Sequence, residues 1–273
     1  SFLGSRLLLA SQGLLVELIG TLRGLISQPD APNKAKAILS CLAVALGTKK
    51  PHIEVESSLL AVPKAGGADL LQELMQHGSG GLPRLVRVEA LKAVVAGVKT
   101  YYPAVAERHA AEMVALLPRL AKDREETVRN SYLRVMEALA AQACQVGEAS
   151  EAAGPRGEAC KVWSQVITTV LEAGCFGDGF HSVRATALGC LSTASRVTLA
   201  ELPPAVVEGC LREVAKALGD KQTSVASGAY RTAGAWIQYP QACNDLVFLG
   251  DVCRQVAMSG DCTLTLTLTL TLI

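Results

Sequence analysis

The sequence LLPRLAKDREETVRNSYLRVMEAL, at Leu116–Leu139, contains the signals for two helices and a sharp turn between them. Apolar residues at helical spacing lie on both sides of the charged segment KDREE, which has the composition of an exposed turn. Asp123 in this segment can accept backbone N–H groups at the start of the second helix. The stretch therefore predicts a helical hairpin.

The second helix of this hairpin has counterparts along the chain. Its segment VRNSYL at 128–133 matches VRVEAL at 86–91, VRATAL at 183–188 and VASGAY at 225–230, with a degenerate copy, KAKAIL, at 34–39. The copies start at residues 34, 86, 128, 183 and 225, so successive starts are 52, 42, 55 and 42 residues apart. The two shorter spacings fall within the period of about 40–47 residues found in HEAT and armadillo units. The sequence thus predicts an all-α fold, an α-solenoid of stacked HEAT/armadillo-like helical hairpins.

Charged residues recur at fixed positions before these copies. An aspartate lies five residues before three of the starts, and an arginine follows two of these aspartates after six residues: Asp123 with Arg129, Asp178 with Arg184, and Asp220. This Asp-x4-Val-Arg pattern resembles the signature of the HEAT-repeat family. The resemblance implies that these five residues form a hydrogen-bonded ladder between adjacent units. We expect a partial ladder, because Ala226 replaces the arginine of the last copy and Gly81 replaces the aspartate of the second.

A narrower resemblance covers Asp220–Ser259. In this stretch a helix with a face of small residues ends in Tyr239-Pro240, and a second apolar helix follows. The stretch is similar to the family of HEAT repeat-containing protein six. The similarity implies a scaffold that binds other proteins, and it implies no catalytic chemistry.

Composition sets limits on function. The 273 residues are 50% hydrophobic but only 4% aromatic, which suits helices packed closely along their length. A net charge of +1 supplies no field that would attract nucleic acid or an anionic membrane. The 9 cysteines include no CxxC pair, which favours scattered thiols in a reducing compartment. We therefore expect an intracellular protein of the cytoplasm or nucleus, with no cofactor and no metal.

The organisation of the chain follows from the repeats and their interruptions. We expect a HEAT-repeat array over residues 1–262, with about five to six hairpins and as part of a longer array. An exposed insertion is predicted near 147–157 and a loop at 48–67, since both contain helix breakers. The Thr-Leu repeats of 263–273 are interpreted as a low-complexity tail without function. The apolar stretch Leu7–Ile26 contains Glu17 and Arg23, which favours a first repeat helix over a membrane segment.

Chemical motifs do not favour catalysis. The glycines at 174, 177 and 179 lack the preceding strand and the lysine of a phosphate-binding loop. His109 and Glu112 lie three residues apart on one helix, but no HExxH motif or third ligand accompanies them. We interpret this pair as solvated helix surface. The sequence therefore predicts neither an enzyme nor a small-molecule substrate.

The remaining candidate for function is the exposed surface of the second helices, which in HEAT arrays line the concave side. Positions two and six residues after each starting residue point away from the apolar stripe. Lys92, Arg134 and Arg231 occupy such positions and form a sparse basic track, with Asn130 beside it and Glu137 interrupting it. Ordinary solvated charges also account for this pattern.

Two functional hypotheses follow from that surface. The first is a scaffold for protein partners of unknown identity, which binds an acidic or helical segment. The second is a nucleic-acid- or chromatin-associated protein that binds phosphates along the basic track. We favour the first, because the net charge does not support the second.

Overall fold

The computed structural model describes residues 16–17, 19–21, 23–24, 32–47, 51, 53–62, 67–237 and 246–259, and no strand occurs among them. The chain divides into unit 1, residues 1–139, and unit 2, residues 140–273. The helices of unit 1 are α1 (Pro32–Leu46), α2 (Ile53–Leu59), α3 (Leu70–Ser79) and α4 (Arg84–Leu120). Helix α5 (Glu126–Ala149) contributes to both units. Unit 2 continues with α6 (Ala153–Glu172), α7 (His181–Leu191), α8 (Arg196–Ala200), α9 (Pro204–Leu218), α10 (Thr223–Trp236) and α11 (Leu246–Ser259).

Helix α4 consists of two helices that meet at a kink. Tyr101 at the kink has φ −121° and ψ 31°, which are not helical values. Pro103 causes the interruption, because a proline inside a helix removes a backbone hydrogen bond and its ring clashes with the preceding turn. The second helix of one repeat, up to Tyr101, therefore runs directly into the first helix of the next. The sequence places this junction at Tyr102-Pro103, one residue away.

The core of unit 1 lies between α1, α3 and α4. Helices α1 and α3 both pack against α4. Their buried faces consist of leucines at helical spacing, such as Leu39, Leu42 and Leu46 of α1, all 0% exposed. Gly97 of α4 allows close approach, since a Cβ at this position would lie 3.3 Å from Leu71 of α3. An apolar stripe on each helix thus explains the packing.

The core of unit 2 is built on two tryptophans and small residues. Helix α10 packs against both α7 and α9. Trp163 of α6 and Trp236 of α10 are 0% exposed. Gly228 of α10 faces Leu188 of α7, with 3.5 Å between the position of an added Cβ and the leucine side chain. Small residues therefore bring the two second helices of this unit close together.

Two segments differ from the sequence expectation. Helix α2 lies inside the stretch predicted as a loop, because Val55 and Leu59, one turn apart, are fully buried and hold two helical turns in place. The stretch at 147–157 is exposed from 151 to 155, but only 150–152 lie outside helices. Pro155 stands in the first turn of α6, where a missing N–H has no helical partner to lose.

Some predictions fall outside the described residues, namely the Thr-Leu repeats at 263–273 and most of Leu7–Ile26. Within the part of the chain that the structure describes, none of the helices combines the length and the apolar composition required to cross a bilayer.

Candidate functional site

The bends before α5, α7 and α10 share one set of hydrogen bonds. The Oδ1 atoms of Asp123, Asp178 and Asp220 accept the backbone N–H of the residue two positions later, at 3.0, 2.8 and 2.9 Å. Such an Asx turn orders the backbone before the helix begins. All three aspartates thus lie at the hairpin bends where the repeat alignment places them.

Two arginines of the pattern return to the bend that precedes their own helix. Arg129 Nη1 donates to the carbonyl oxygen of Asp123 at 2.7 Å, and Arg184 Nη1 donates to that of Asp178 at 2.8 Å. The guanidinium groups therefore satisfy carbonyl oxygens of the bends and fix the direction in which α5 and α7 leave them.

Arginines also bind the aspartate of the following bend. In unit 2, Arg184 donates through Nε and Nη2 to both carboxylate oxygens of Asp220, at 3.0 Å each. In unit 1 the corresponding pair is Arg87 Nη2 with Asp123 Oδ2. The sequence pattern misses Arg87, because no aspartate precedes it. Its position directly after Val86, aligned with Arg129 and Arg184, is the signal that could have found it.

The charge of Asp123 follows from its surroundings. Burial opposes ionisation of this carboxyl group. Hydrogen bonds from Arg87 and from the backbone N–H of Glu125, together with the positive charges of Arg87 and Arg124, outweigh burial and lower the pKa of Asp123. The carboxylate is therefore ionised at neutral pH and holds the start of α4 to the bend before α5.

The predicted partner-binding residues of unit 1 lie on the second helices. Lys92 of α4 and Arg134 of α5 occupy equivalent positions of two copies and have side chains 58% and 55% exposed. Their chain neighbours Leu91 and Leu133 are buried in the core. Asn130, one turn before Arg134, is partly exposed. Rigid helices thus present a row of polar side chains to solvent.

Each of these cations has a carboxylate one turn away. Lys92 Nζ lies 2.8 Å from Glu89 Oε1, and Arg134 Nη1 lies 2.8 Å from Glu137 Oε2. The carboxylates are more buried than the cations, with exposed fractions of 12% for Glu89 and 29% for Glu137. Glu137, predicted as an interruption of the track, is thus the ion-pair partner of Arg134. Glu89 is not among the residues predicted from the sequence, although its i, i+3 spacing from Lys92 is a signal for such a pair.

Glu89 also joins α4 to α1. Ser40 Oγ of α1 donates to Glu89 Oε2 at 2.9 Å. Burial opposes ionisation of Glu89, but the hydrogen bonds from Lys92 and Ser40, with the charges of Lys92 and Lys36, outweigh it and lower the pKa of Glu89. Glu89 therefore connects the exposed Lys92 of α4 to a polar side chain of α1.

In unit 2 the equivalent positions carry mostly small residues. Arg231 and Ser227 of α10 are exposed, and Ala185 and Gly189 of α7 are partly exposed. Arg231 is the charged residue among these four positions. The positions of the predicted basic track therefore hold two ion pairs in unit 1 and one arginine in unit 2.

The interpretation of His109 as solvated surface is wrong, because its side chain is only 8% exposed. Its Nε2 lies 2.7 Å from Asp69 Oδ2, and its Nδ1 lies 3.7 Å from Glu112 Oε2. Asp69 also caps α3 by accepting the N–H of Gln72 at 2.9 Å. The sequence did contain a signal for this burial, since His109 stands four residues from the apolar residues at 105 and 113 on one helix face.

Other chemistry-bearing groups form no cluster in the described residues. No group of three or more His, Cys, Asp or Glu side chains is arranged there to hold a metal ion. Burial, with a smaller contribution from the charge of Glu213, raises the pKa of the Cys210 thiol to about 12. This thiol is therefore protonated at neutral pH.

The fold is similar to solved repeat structures. No protein-family model and no curated protein matches the chain. A designed armadillo repeat protein in complex with the peptide (KR)4 aligns with a TM-score of 0.64 and 14% identity over 96% of this chain and 98% of that chain. A second designed armadillo repeat protein has a TM-score of 0.62 and 14% identity, over 94% of this chain and 98% of that chain. A structure of computationally designed armadillo repeat proteins for modular peptide recognition aligns with a TM-score of 0.61 and 13% identity, over 94% of this chain and 98% of that chain. The chain has an armadillo-like repeat fold.

This likeness confirms the predicted fold class, an all-α array of HEAT/armadillo-like helical hairpins of the α-solenoid type. At identities of 13 to 14%, it shows the fold alone. The comparisons give no support to the narrower resemblance between Asp220–Ser259 and the family of HEAT repeat-containing protein six.

Proposed function

We propose that this chain is a non-catalytic scaffold that binds peptide segments of other proteins across the second helices of its repeats. The observation that carries the proposal is the row of polar side chains at equivalent positions of successive second helices, with Lys92 and Arg134 as its exposed members. Successive second helices of unit 1 present such a row, and an extended ligand can contact more than one of them.

The ion pairs of the row favour ligand binding by limiting side-chain freedom. Ordering a long side chain at an interface costs about 0.5–1.5 kcal/mol. Lys92 and Arg134 are already held by Glu89 and Glu137 at 2.8 Å, so part of this cost is met before a ligand arrives. The row is therefore partly preorganised for binding.

The structural neighbours support a peptide ligand. One of them was solved with the peptide (KR)4, and others were designed for modular peptide recognition. A peptide ligand is therefore compatible with a repeat fold of this kind. Nucleic-acid binding has weaker support here, because Lys92 and Arg134 each lie beside a carboxylate and the net charge is +1.

A display selection tests the proposal. A library of random 12-residue peptides would be selected on the folded chain, and hydrogen exchange would be measured with and without an enriched peptide. We expect protection in α5 and in residues 84–101 of α4. Protection confined to α3 or to residues 103–120 of α4, or no enrichment over chain denatured by acid, would contradict the proposal.

A matched pair of variants locates the surface. Lys92→Ala with Arg134→Ala removes the exposed cations of the row, whereas Lys122→Ala with Arg124→Ala removes two exposed cations of the bend before α5. The first pair is expected to weaken an enriched peptide by about tenfold, and the second by less than about twofold. Equal effects of the two pairs would show that the row is not the binding surface.

A further inference from the structure

We infer that the ligand of unit 1 is an acidic peptide segment whose carboxylates bind Lys92 and Arg134. This inference rests on the proposed scaffold function and specifies the chemistry of the partner. It depends on the accessibility of the charges in the row, on their balance and on the spacing of the helices that carry them.

The ion pairs of the row turn their positive members outward. Lys92 and Arg134 are more than half exposed, whereas Glu89 and Glu137 are largely covered. A ligand that approaches this surface therefore meets the cations first. The two carboxylates lower the net charge of the surface but are poorly placed to bind a ligand themselves.

Hydrogen-bonding capacity has the same asymmetry. A lysine ammonium carries three N–H donors and an arginine guanidinium carries five. Among the described residues, Lys92 gives one hydrogen bond to Glu89 and Arg134 gives one to Glu137. Glu89 accepts two hydrogen bonds, from Lys92 and from Ser40. Donors thus remain available for a ligand, and carboxylate oxygens are the acceptors that form the strongest hydrogen bonds with them.

A third cation adds to the balance. Lys36 of α1 is exposed, and its charge acts on Glu89. Together with Lys92 and Arg134, Lys36 gives this surface three exposed cations beside the two less exposed carboxylates of Glu89 and Glu137. This balance attracts an acidic segment and opposes a basic one such as (KR)4.

The helix spacing indicates the form of the segment. Arg87 with Asp123, and Arg84 with Glu125 at 3.9 Å, hold the start of α4 beside the bend that opens α5. Packed helix axes lie about 8–10 Å apart. A polyproline II chain rises about 3.1 Å per residue with three residues per turn, so side chains three positions apart point the same way at about 9 Å. We therefore expect acidic residues at every third position of the ligand to bind Lys92 and Arg134.

Fluorescence anisotropy with a defined peptide tests the inference. A labelled (Glu-Ala-Pro)4 peptide is expected to bind the whole chain at 50 mM NaCl and to bind more weakly at 300 mM. The variant Lys92→Glu with Arg134→Glu is expected to lose at least about tenfold in affinity. The matched variant Lys122→Glu with Arg124→Glu changes the net charge equally and is expected to lose less than about twofold.

A charge swap provides the second arm. The peptide (Lys-Ala-Pro)4 is expected to bind the unchanged chain at least about tenfold more weakly than the acidic peptide, and to gain affinity for Lys92→Glu with Arg134→Glu. All four charge-reversal positions are exposed, and circular dichroism would verify that both variants fold.

The outcomes separate the inference from the function on which it rests. Tighter binding of (Lys-Ala-Pro)4 or of single-stranded RNA than of the acidic peptide, or equal losses in the two variants, would overturn the acidic ligand. Peptides enriched by display that bind the second helices without acidic residues would also overturn it and leave the scaffold standing. If no peptide of any charge binds, both proposals fail.

Discussion

The buried polar side chains of the two units differ in kind. Among the described residues, unit 1 buries the ionisable side chains Asp69, Arg87 and His109 beside the hydroxyl group of Tyr132, whereas unit 2 buries the hydroxyl groups of Thr186, Ser195, Thr198 and Thr232. The pairs of unit 1 join elements distant in sequence, as in Asp69 with His109 at 2.7 Å. In unit 2, Thr232 donates to the carbonyl of Leu188 at 3.2 Å, and Trp236 Nε1 donates to that of Leu191 at 2.9 Å.

The same repeat fold can therefore be stabilised mainly by buried charged pairs or mainly by packing around neutral groups. Removing one member of a buried ion pair leaves a charge without its counter-ion, which costs about 3–5 kcal/mol. Loss of the hydrogen bond of a neutral hydroxyl or indole group costs less stability than loss of a buried counter-ion. Loss of the packing around such a group costs more than loss of its hydrogen bond. Unit 2 also contains an ion pair, Arg184 with Asp220, but its arginine is more exposed than Arg87 of unit 1. We therefore expect unit 1 to respond more strongly than unit 2 to changes of charge and pH, and unit 2 to respond mainly to changes of side-chain volume.

The largest expected effect is in unit 2. Trp236→Ala removes a fully buried indole, so the free energy of unfolding should fall by about 3–5 kcal/mol. Urea denaturation followed by circular dichroism measures the loss, and it should be the same at pH 5 and pH 7. Trp236→Phe retains much of the volume and should cost less than half as much. A similar cost for both variants would mean that the hydrogen bond to Leu191, rather than packing, holds α10 in place.

In unit 1, the cost of removing a buried charge should depend on pH, unlike the cost of Trp236→Ala. Asp123→Asn keeps the shape of the side chain but leaves Arg87 without its counter-ion, which should cost about 3 kcal/mol at pH 7. Because the pKa of Asp123 is lowered in the folded chain, its contribution is present above the ordinary Asp range, near pH 4, and is lost as pH falls through the folded value. The difference between the variant and the unchanged chain should therefore shrink in acid.

A surface pair provides the control for that experiment. Glu208→Gln breaks the exposed ion pair with Arg212 in α9, and exposed pairs contribute less than about 1 kcal/mol. Its effect should stay near zero at every pH. If the cost of Asp123→Asn were equally large at pH 3 and pH 7, the ionised carboxylate would not be the cause.

The sequence could predict what depends on local pattern. The Val-Arg copies at 128 and 183 locate the starts of α5 and α7, and Pro103 locates the kink of α4. It could not predict contacts between distant turns, such as Ser40 with Glu89, because no local signal shows which turn of α1 faces α4. Burial of His109 was predictable in part from its apolar neighbours on the helix face. Its partner Asp69, 40 residues earlier, was not.

Changes at the buried pair of Asp69 and His109 should lower stability less than Asp123→Asn and more than the glycine substitutions below. Asp69→Ala removes both the cap of α3 and the partner of His109, so the free energy of unfolding should fall by about 2–3 kcal/mol. Asp69→Asn retains an oxygen for the cap and should cost about half as much. Urea denaturation at pH 7 measures both. Equal costs would assign the effect to the contact with His109 alone and would show that the cap of α3 contributes little.

The smallest effects concern glycines at the helix contacts. In unit 1, a Cβ on Gly78 would lie 2.5 Å from Leu91 Cδ2, and Leu91 is fully buried, so Gly78→Ala should destabilise by about 1–2 kcal/mol. In unit 2, a Cβ on Gly228 would meet Leu188 at 3.5 Å, an ordinary contact distance. The same substitution there fills space without a clash.

Gly228→Ala should therefore raise the free energy of unfolding by about 0.5–1 kcal/mol, because alanine favours a helix and restricts the unfolded chain. The midpoint of urea denaturation should rise for this variant and fall for Gly78→Ala. Destabilisation by Gly228→Ala would mean that α7 and α10 are packed too tightly for one methyl group. The tolerance to volume in unit 2 would then be narrower than the contact at Gly228 indicates, and the contrast with unit 1 would rest on the buried charges alone.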